Sequence, residues 1–195
     1  PAIGGNDGVG RVEALGAEVS NLKVGQMVLL PVGCGTWVSH LNAAANKLIP
    51  LPEADPQQLA MLTVNPPTAS LMLSQFVELK PGDWVIQNAA NSGVGSYLIQ
   101  LAKLRGFKTI NVVRRESAVA GVEAEGGDVV LVDGPDLAKR VRAATGGADV
   151  RLGIDAVGGE STDHLAASLC EGGVLVNYGM MSRQPCQVSP ASFVF

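Results

Sequence analysis

Residues 84–106 read WVIQNAANSGVGSYLIQLAKLRG, and this stretch decides the fold. A β-prone run over 84–88 passes through Asn91-Ser92-Gly93-Val94-Gly95 into a segment with helical spacing over 95–104. Glycine-x-glycine between a strand and a helix is a shortened dinucleotide fingerprint. Gly93 lets the backbone approach a pyrophosphate, and Gly95 lets the first helical turn sit close to the strand. The helix N-terminus offers N–H donors and a partial positive charge to phosphate oxygens. The alternative is a tight βα turn with no ligand. Ser92 has no G-x-S-x-G setting and no nearby histidine, so it reads as a hydrogen-bonding group at the turn rather than a nucleophile.

Downstream, short apolar runs alternate with helical patterns. Strands are expected at 109–113, 129–132, 151–155 and 174–178, and helices at 117–124, 136–144 and 161–169. Five short apolar strands with helical crossovers predict an α/β, Rossmann-type, doubly wound parallel sheet. The second strand ends in Arg114-Arg115, about 20 residues after the glycine turn, where an NAD-binding fold carries an acid. An acidic group would repel a 2′-phosphate, whereas two guanidiniums match its charge and geometry. NADP is therefore the expected cofactor, with Arg114 the leading contact; Glu116 tempers the local charge. Ligands of open α/β sheets lie beyond the carboxyl ends of the strands, so the turns at Asp155–Gly159 and Tyr178–Met181 should face the cofactor. Tyr178 serves there either as a phenolic donor or as packing.

Upstream, residues 1–64 read as short β-segments divided by glycine. The extended runs fall at 9–15, 27–31 and 37–41, followed by a short helix at 57–62. Pro66 and Pro67 read as a break before a helix at 68–76. The expected domain division is 1–64 and 65–195.

With 195 residues, 47% hydrophobic and 16% charged, the chain suits a packed core. A formal charge of −4 without a basic stripe argues against a nucleic-acid partner. The apolar runs fall short of the ~20 residues of a membrane span. Cys34, Cys170 and Cys186 are too widely spaced for a C-x-x-C site, which points to a reducing compartment: the cytoplasm, or the mitochondrial matrix if a leader has been lost. Pro1 and the apolar run at 191–195 read as the cut ends of a longer protein. That run is β-prone and is expected to form an exposed edge unless paired.

Taken together, GGNDGVGRVEALG (4–16), VGQMV, KPGDWVIQNAANSGVG and GGDVVLVD resemble, in order, the medium-chain dehydrogenase/reductase family. PAIGGNDGVG, GTWVSH around Trp37, VNPPTA at 64–69 and INVVRR are most similar to the mitochondrial-type trans-2-enoyl-CoA (enoyl thioester) reductases of fatty acid metabolism. The resemblance implies part of a GroES-like β domain ahead of the Rossmann domain, NADPH-dependent reduction of a 2-enoyl thioester, and a homodimer. It implies that Asn65, Asn91, Ser92, Gly93, Val94, Arg114, Arg115, Tyr178, Gly179 and Met180 line the cofactor site, with Thr68 near the nicotinamide. It places the proton-donating tyrosine on a segment before Pro1, so no catalytic residue is carried over. Zinc-dependent relatives have histidine where Asn6 stands, and they carry a lobe of four cysteines absent here, so no metal is expected. His40 and His164 read as structural residues on apolar segments. The alternatives within reach are an NADPH:quinone oxidoreductase and a non-catalytic NADP-binding or dimerising module.

Overall fold

The computed structural model describes residues 3–194. They form two compact units that divide between Pro67 and Thr68.

In the first unit, β1 (Val9–Arg11), β2 (Met27–Leu29) and β3 (Ile49–Pro50) make a small antiparallel sheet in that order. Leu22, Val28 and Leu30 are its buried centre. The expected strand at 37–41 does not form. Gly33 and Gly35, both at positive φ, turn the chain just before it. Trp37 is instead 82% exposed, its ring against Gly4 and Gly5, where an added Cβ would meet indole carbons at 2.8 and 2.6 Å. His40 is exposed as well and faces Glu13 at 3.2 Å, so it does not sit on an apolar core segment. The helix α1 (Pro56–Ala60) starts at Asp55, whose carboxylate accepts from the Gln57 N–H, and it runs on into a 3-10 turn, Met61–Thr63.

Pro66 and Pro67 do not break the chain. They lie in the first turn of α2 (Asn65–Gln75). Their missing N–H groups would have had no acceptor within the helix there, so proline costs little at those positions.

The second unit alternates strand and helix: β4 (Trp84–Gln87), α3 (Gly93–Leu104), β5 (Lys108–Val113), α4 (Val119–Ala124), β6 (Val129–Val132), α5 (Leu137–Thr145), β7 (Val150–Asp155), α6 (Glu160–Ala166) and β8 (Val174–Asn177). All four strand pairings are parallel, in the order β6-β5-β4-β7-β8. This is the expected doubly wound Rossmann-type sheet. Its central strands β4, β5 and β7 are buried on both faces, and the edge strands β6 and β8 are half-buried. Val85 packs with Leu98 and Ala102 of α3 and Met72 and Leu73 of α2, while Ile86 packs with Leu137 and Val141 of α5 and Leu165 of α6. Each such fully buried leucine contributes about 2 kcal/mol from apolar area removed from water.

One polar string runs through this core. Gln87 Nε2 donates to Asn111 Oδ1 at 2.9 Å and to the Gly95 carbonyl at 3.1 Å, and Asn111 Nδ2 donates to Thr109 Oγ1. Each of these amides thus has partners despite full burial.

The run at 191–194 forms a helical turn, α7 (Ala191–Val194), and not a β edge; Phe195 lies outside the described residues. Ser189 sets that turn, its carbonyl accepting from Ser192 N–H and its hydroxyl from Ala191 N–H. No helix among the described residues is long and apolar enough to cross a membrane.

Candidate functional site

The strand order reverses between β4 and β7, since the chain builds outward from β4 to β5 and β6 and then returns to the other side. Strands on either side of such a reversal part at their carboxyl ends and leave a crevice. An open cavity of about 640 Å³ lies there, lined among others by Asn88, Asn91, Arg114, Arg115, Val157 and Met181. That volume falls within the range of small-molecule and cofactor sites.

The glycine turn forms one wall. Ala90 N–H reaches back to the Val112 carbonyl, and Ser92 N–H to the Ala89 carbonyl. Ser92 then caps α3, its hydroxyl accepting from Gly95 N–H at 3.2 Å. The capping role explains the serine without any nucleophilic chemistry. Gly93 and Val94 are the first two residues of the helix, and their N–H groups have no acceptor within it. Gly95 is required by close approach: a Cβ there would lie 2.3 Å from the Ala90 carbonyl oxygen. Ala89 stands at the head of the turn with φ +47°, a left-handed conformation that L side chains adopt at a cost.

Arg114 and Arg115 follow the end of β5, exposed and on the cavity wall. Neither guanidinium has an ion-pair or side-chain hydrogen-bond partner among the described residues. Ser117 of a 3-10 turn (Glu116–Ala118), Gly121 of α4 and Glu125 just after it continue the same wall.

Across the crevice, Asp155 ends β7 with no exposed surface. Its Oδ1 accepts from Asn88 Nδ2 at 2.6 Å and from the N–H groups of Val157 and Gly158 at 2.8 and 3.0 Å. Its Oδ2 accepts from Thr162 Oγ1 at 2.7 Å and Asn177 Nδ2 at 2.9 Å. Burial alone would raise its pKa, but the hydrogen bonds from Thr162, Asn88, Gly158 and Asn177 outweigh burial and hold the carboxyl below its ordinary range. Tyr178, the next residue after β8, has its phenol pushed up by burial; hydrogen bonding with Ser92 opposes this and the Asp155 charge adds to it. It therefore stays protonated at neutral pH and can donate. Gly179 packs against Ala156, whose carbonyl oxygen a Cβ at 179 would meet at 2.7 Å, and Met180 is 62% exposed beside it.

Of the residues singled out from the sequence, Asn91, Arg114 and Arg115 line the cavity itself. Ser92, Gly93 and Val94 form the turn and helix start beside it, and Tyr178, Gly179 and Met180 follow the end of β8. Asn65 and Thr68 fall in the first turn of α2. Sequence reading placed Asp155 at the head of a cofactor-facing turn without its hydrogen-bond partners, and it missed Asn88, Thr162 and Asn177. Only the polar residues at strand ends, Asn88 after β4 and Asp155 and Asn177 closing β7 and β8, carried any signal. His164 lies on α6 with its Nδ1 2.8 Å from Asp133 Oδ1, a pairing the sequence did not suggest.

Two family models match the chain: "Zinc-binding dehydrogenase" over residues 93–195 and "Alcohol dehydrogenase GroES-like domain" over residues 1–53. The mitochondrial enoyl-[acyl-carrier-protein] reductase of Caenorhabditis elegans is 41% identical over 99% of this chain and 57% of its own length. The chain thus spans little more than half of that curated relative. A solved complex of Etr1p with NADP and crotonyl-CoA has a TM-score of 0.91 and 30% identity, covering all of this chain and 60% of its own. The mitochondrial 2-enoyl thioester reductase Etr1p/Etr2p heterodimer from Candida tropicalis gives the same values. A quinone oxidoreductase of Pseudomonas syringae has a TM-score of 0.81 at 30% identity, covering 97% of this chain and 59% of its own.

The zinc in the first family's description calls for imidazole, thiolate or carboxylate donors brought together. Among the described residues no three His, Cys, Asp or Glu side chains come together as ligands, and the three cysteines are separate free thiols. Asn6 offers only an amide, a poor zinc ligand beside imidazole or thiolate. The donor set does not fit zinc.

Proposed function

We propose, since this chain belongs to the zinc-binding dehydrogenase family of the medium-chain dehydrogenase/reductases, that it forms the NADPH-binding core of an enzyme reducing the C=C of 2-enoyl thioesters. The observation that carries the cofactor choice is the pair Arg114 and Arg115, unpaired among the described residues on the wall of the cavity at the end of β5. The thioester substrate rests on the names of the relatives, one solved with NADP and crotonyl-CoA.

The cavity and the turns beside it offer a dinucleotide three places. The guanidiniums hold a 2′-phosphate with charge and fork geometry. Gly93 and Val94 N–H groups at the start of α3 hold the pyrophosphate, and Gly95 keeps that helix end close to the strand. Tyr178, Gly179 and Met180 flank the nicotinamide end. Asn65 and Thr68 stay candidates by resemblance alone. NADPH, when bound, supplies the two-electron reduction; this chain's residues bind it, orient it and shield it from water. The proton-donating step is not assigned to any residue described here. No step runs through a metal.

The relatives named mitochondrial support the matrix as compartment over the cytoplasm expected from thiol usage. The heterodimeric relative supports self-association, and a homodimer is the reading for this chain. A second reading, NADPH:quinone oxidoreductase, is favoured by the quinone oxidoreductase of similar fold. A third, a non-catalytic NADP-binding module, predicts binding without turnover.

Following NADPH oxidation by the full-length protein with crotonyl-CoA and with a small quinone separates the three. Turnover with crotonyl-CoA is expected. Turnover with the quinone alone would replace the proposal with the second reading, and binding without turnover of either would leave the third.

A further inference from the structure

A dinucleotide lies across a doubly wound sheet in two halves, one on each side of the strand reversal. In the proposed NADPH site the adenosine half takes the β5 side, where Arg114 and Arg115 stand, and the other half takes the ends of β7 and β8. The two sides are built differently. Arg114 and Arg115 are exposed, and their guanidiniums are unpaired among the described residues. The β7–β8 side is laced to one buried carboxylate.

Asp155 gathers donors from the segment after β4 (Asn88), from its own following turn (Val157 and Gly158 N–H), from α6 (Thr162) and from the end of β8 (Asn177). The loop after β8 is then strapped along the loop after β7. Met181 N–H reaches the Ala156 carbonyl, and Ser182 N–H and hydroxyl both reach the Val157 carbonyl at 2.9 and 2.6 Å. Asn177 is the hinge of this arrangement. Its single amide nitrogen donates to Asp155 Oδ2 and to the Gly179 carbonyl, each at 2.9 Å. It thereby ties the turn that flanks the crevice to the buried charge. A carboxylate acceptor makes the tie stronger than a neutral one.

We propose that Asp155 and Asn177 are positioning residues for the nicotinamide half of the cofactor, acting through the turn at Tyr178, Gly179 and Met180 and not on the adenosine half. This rests on the proposed NADPH site.

The test compares NADPH with adenosine 2′,5′-bisphosphate, which carries the adenosine half and the 2′-phosphate alone, by titration calorimetry. The variants are Asn177→Ala, which removes the amide tie, and Asn177→Asp, which sets an acceptor against the Asp155 carboxylate. In both, NADPH binding is expected to weaken about tenfold or more, the effect of losing a charge-assisted hydrogen bond, with Asn177→Asp the weaker binder. Binding of the bisphosphate should stay within about twofold, a selectivity that general loss of fold would not produce. Equal weakening of both ligands, or of neither, would overturn the positioning role. Failure of the unmodified protein to bind the bisphosphate at all would instead overturn the cofactor site on which the role rests.

Discussion

Asn88 Nδ2 donates to Asp155 Oδ1 across 2.6 Å, joining the ends of β4 and β7 at the place where the strand order of the sheet reverses. The same asparagine accepts from Ala156 N–H through its Oδ1 at 2.7 Å, so its side chain spans the crevice floor with both ends of the amide engaged. The bond selects the ionised carboxyl, as do the others that Asp155 receives.

The acid limb of stability should report that selection. The folded pKa of Asp155 lies below its unfolded value, so its contribution is complete above about pH 4 and is lost as pH falls through the lower, folded value. Asp155→Asn should be less stable than the parent at pH 7, and the difference should shrink as pH falls below about 4. Urea midpoints across that range check it; a difference independent of pH would contradict the ionised state assigned here.

Gly95→Ala places a methyl 2.3 Å from the Ala90 carbonyl oxygen, a backbone atom that cannot rotate away. Alanine gains about 1 kcal/mol in helix propensity over glycine, and overpacking against backbone costs about 1–3 kcal/mol. The net expectation is a loss of up to about 2 kcal/mol, with weakened NADPH binding because α3 must shift away from the turn. A variant equal to the parent in both urea midpoint and affinity would show that α3 has room to move.

Ala89→Gly should act in the opposite sense. The φ of +47° costs an L residue about 1 kcal/mol or more, which glycine does not incur, while glycine's freer unfolded chain returns part of the gain. A rise of about 0.5 kcal/mol is expected, read as a higher urea midpoint at unchanged slope. A fall would mean that the alanine methyl packs favourably in the turn.

The Rossmann-type half was legible because its signals are local. Strands at 84–88, 109–113 and 129–132 are continuous β-prone runs, and the structure places strands there to within a residue. The glycine turn and the arginine pair sit in one stretch of sequence and meet on one cavity. The Asp155 cluster was not legible, since Asn88 and Asp155 are 67 residues apart and nothing local marks one as the other's partner. The errors in the first unit have local causes of their own. Gly33 and Gly35 turn the chain just before the β-prone run at 37–41, and Pro66-Pro67 reads equally as a break or as a helix start. The run at 191–194 is β-prone by composition, yet its first turn is set by hydrogen bonds to Ser189.

The proposed NADPH site rests on the guanidiniums at the end of β5. Titrating the protein with NADPH and with NADH, following nicotinamide fluorescence, tests it most directly. NADPH is expected to bind with a preference over NADH of at least about tenfold, weakened by added salt and abolished in Arg114→Asp. Equal affinity for the two nucleotides, or a preference that survives Arg114→Asp and Arg115→Asp together, would contradict it.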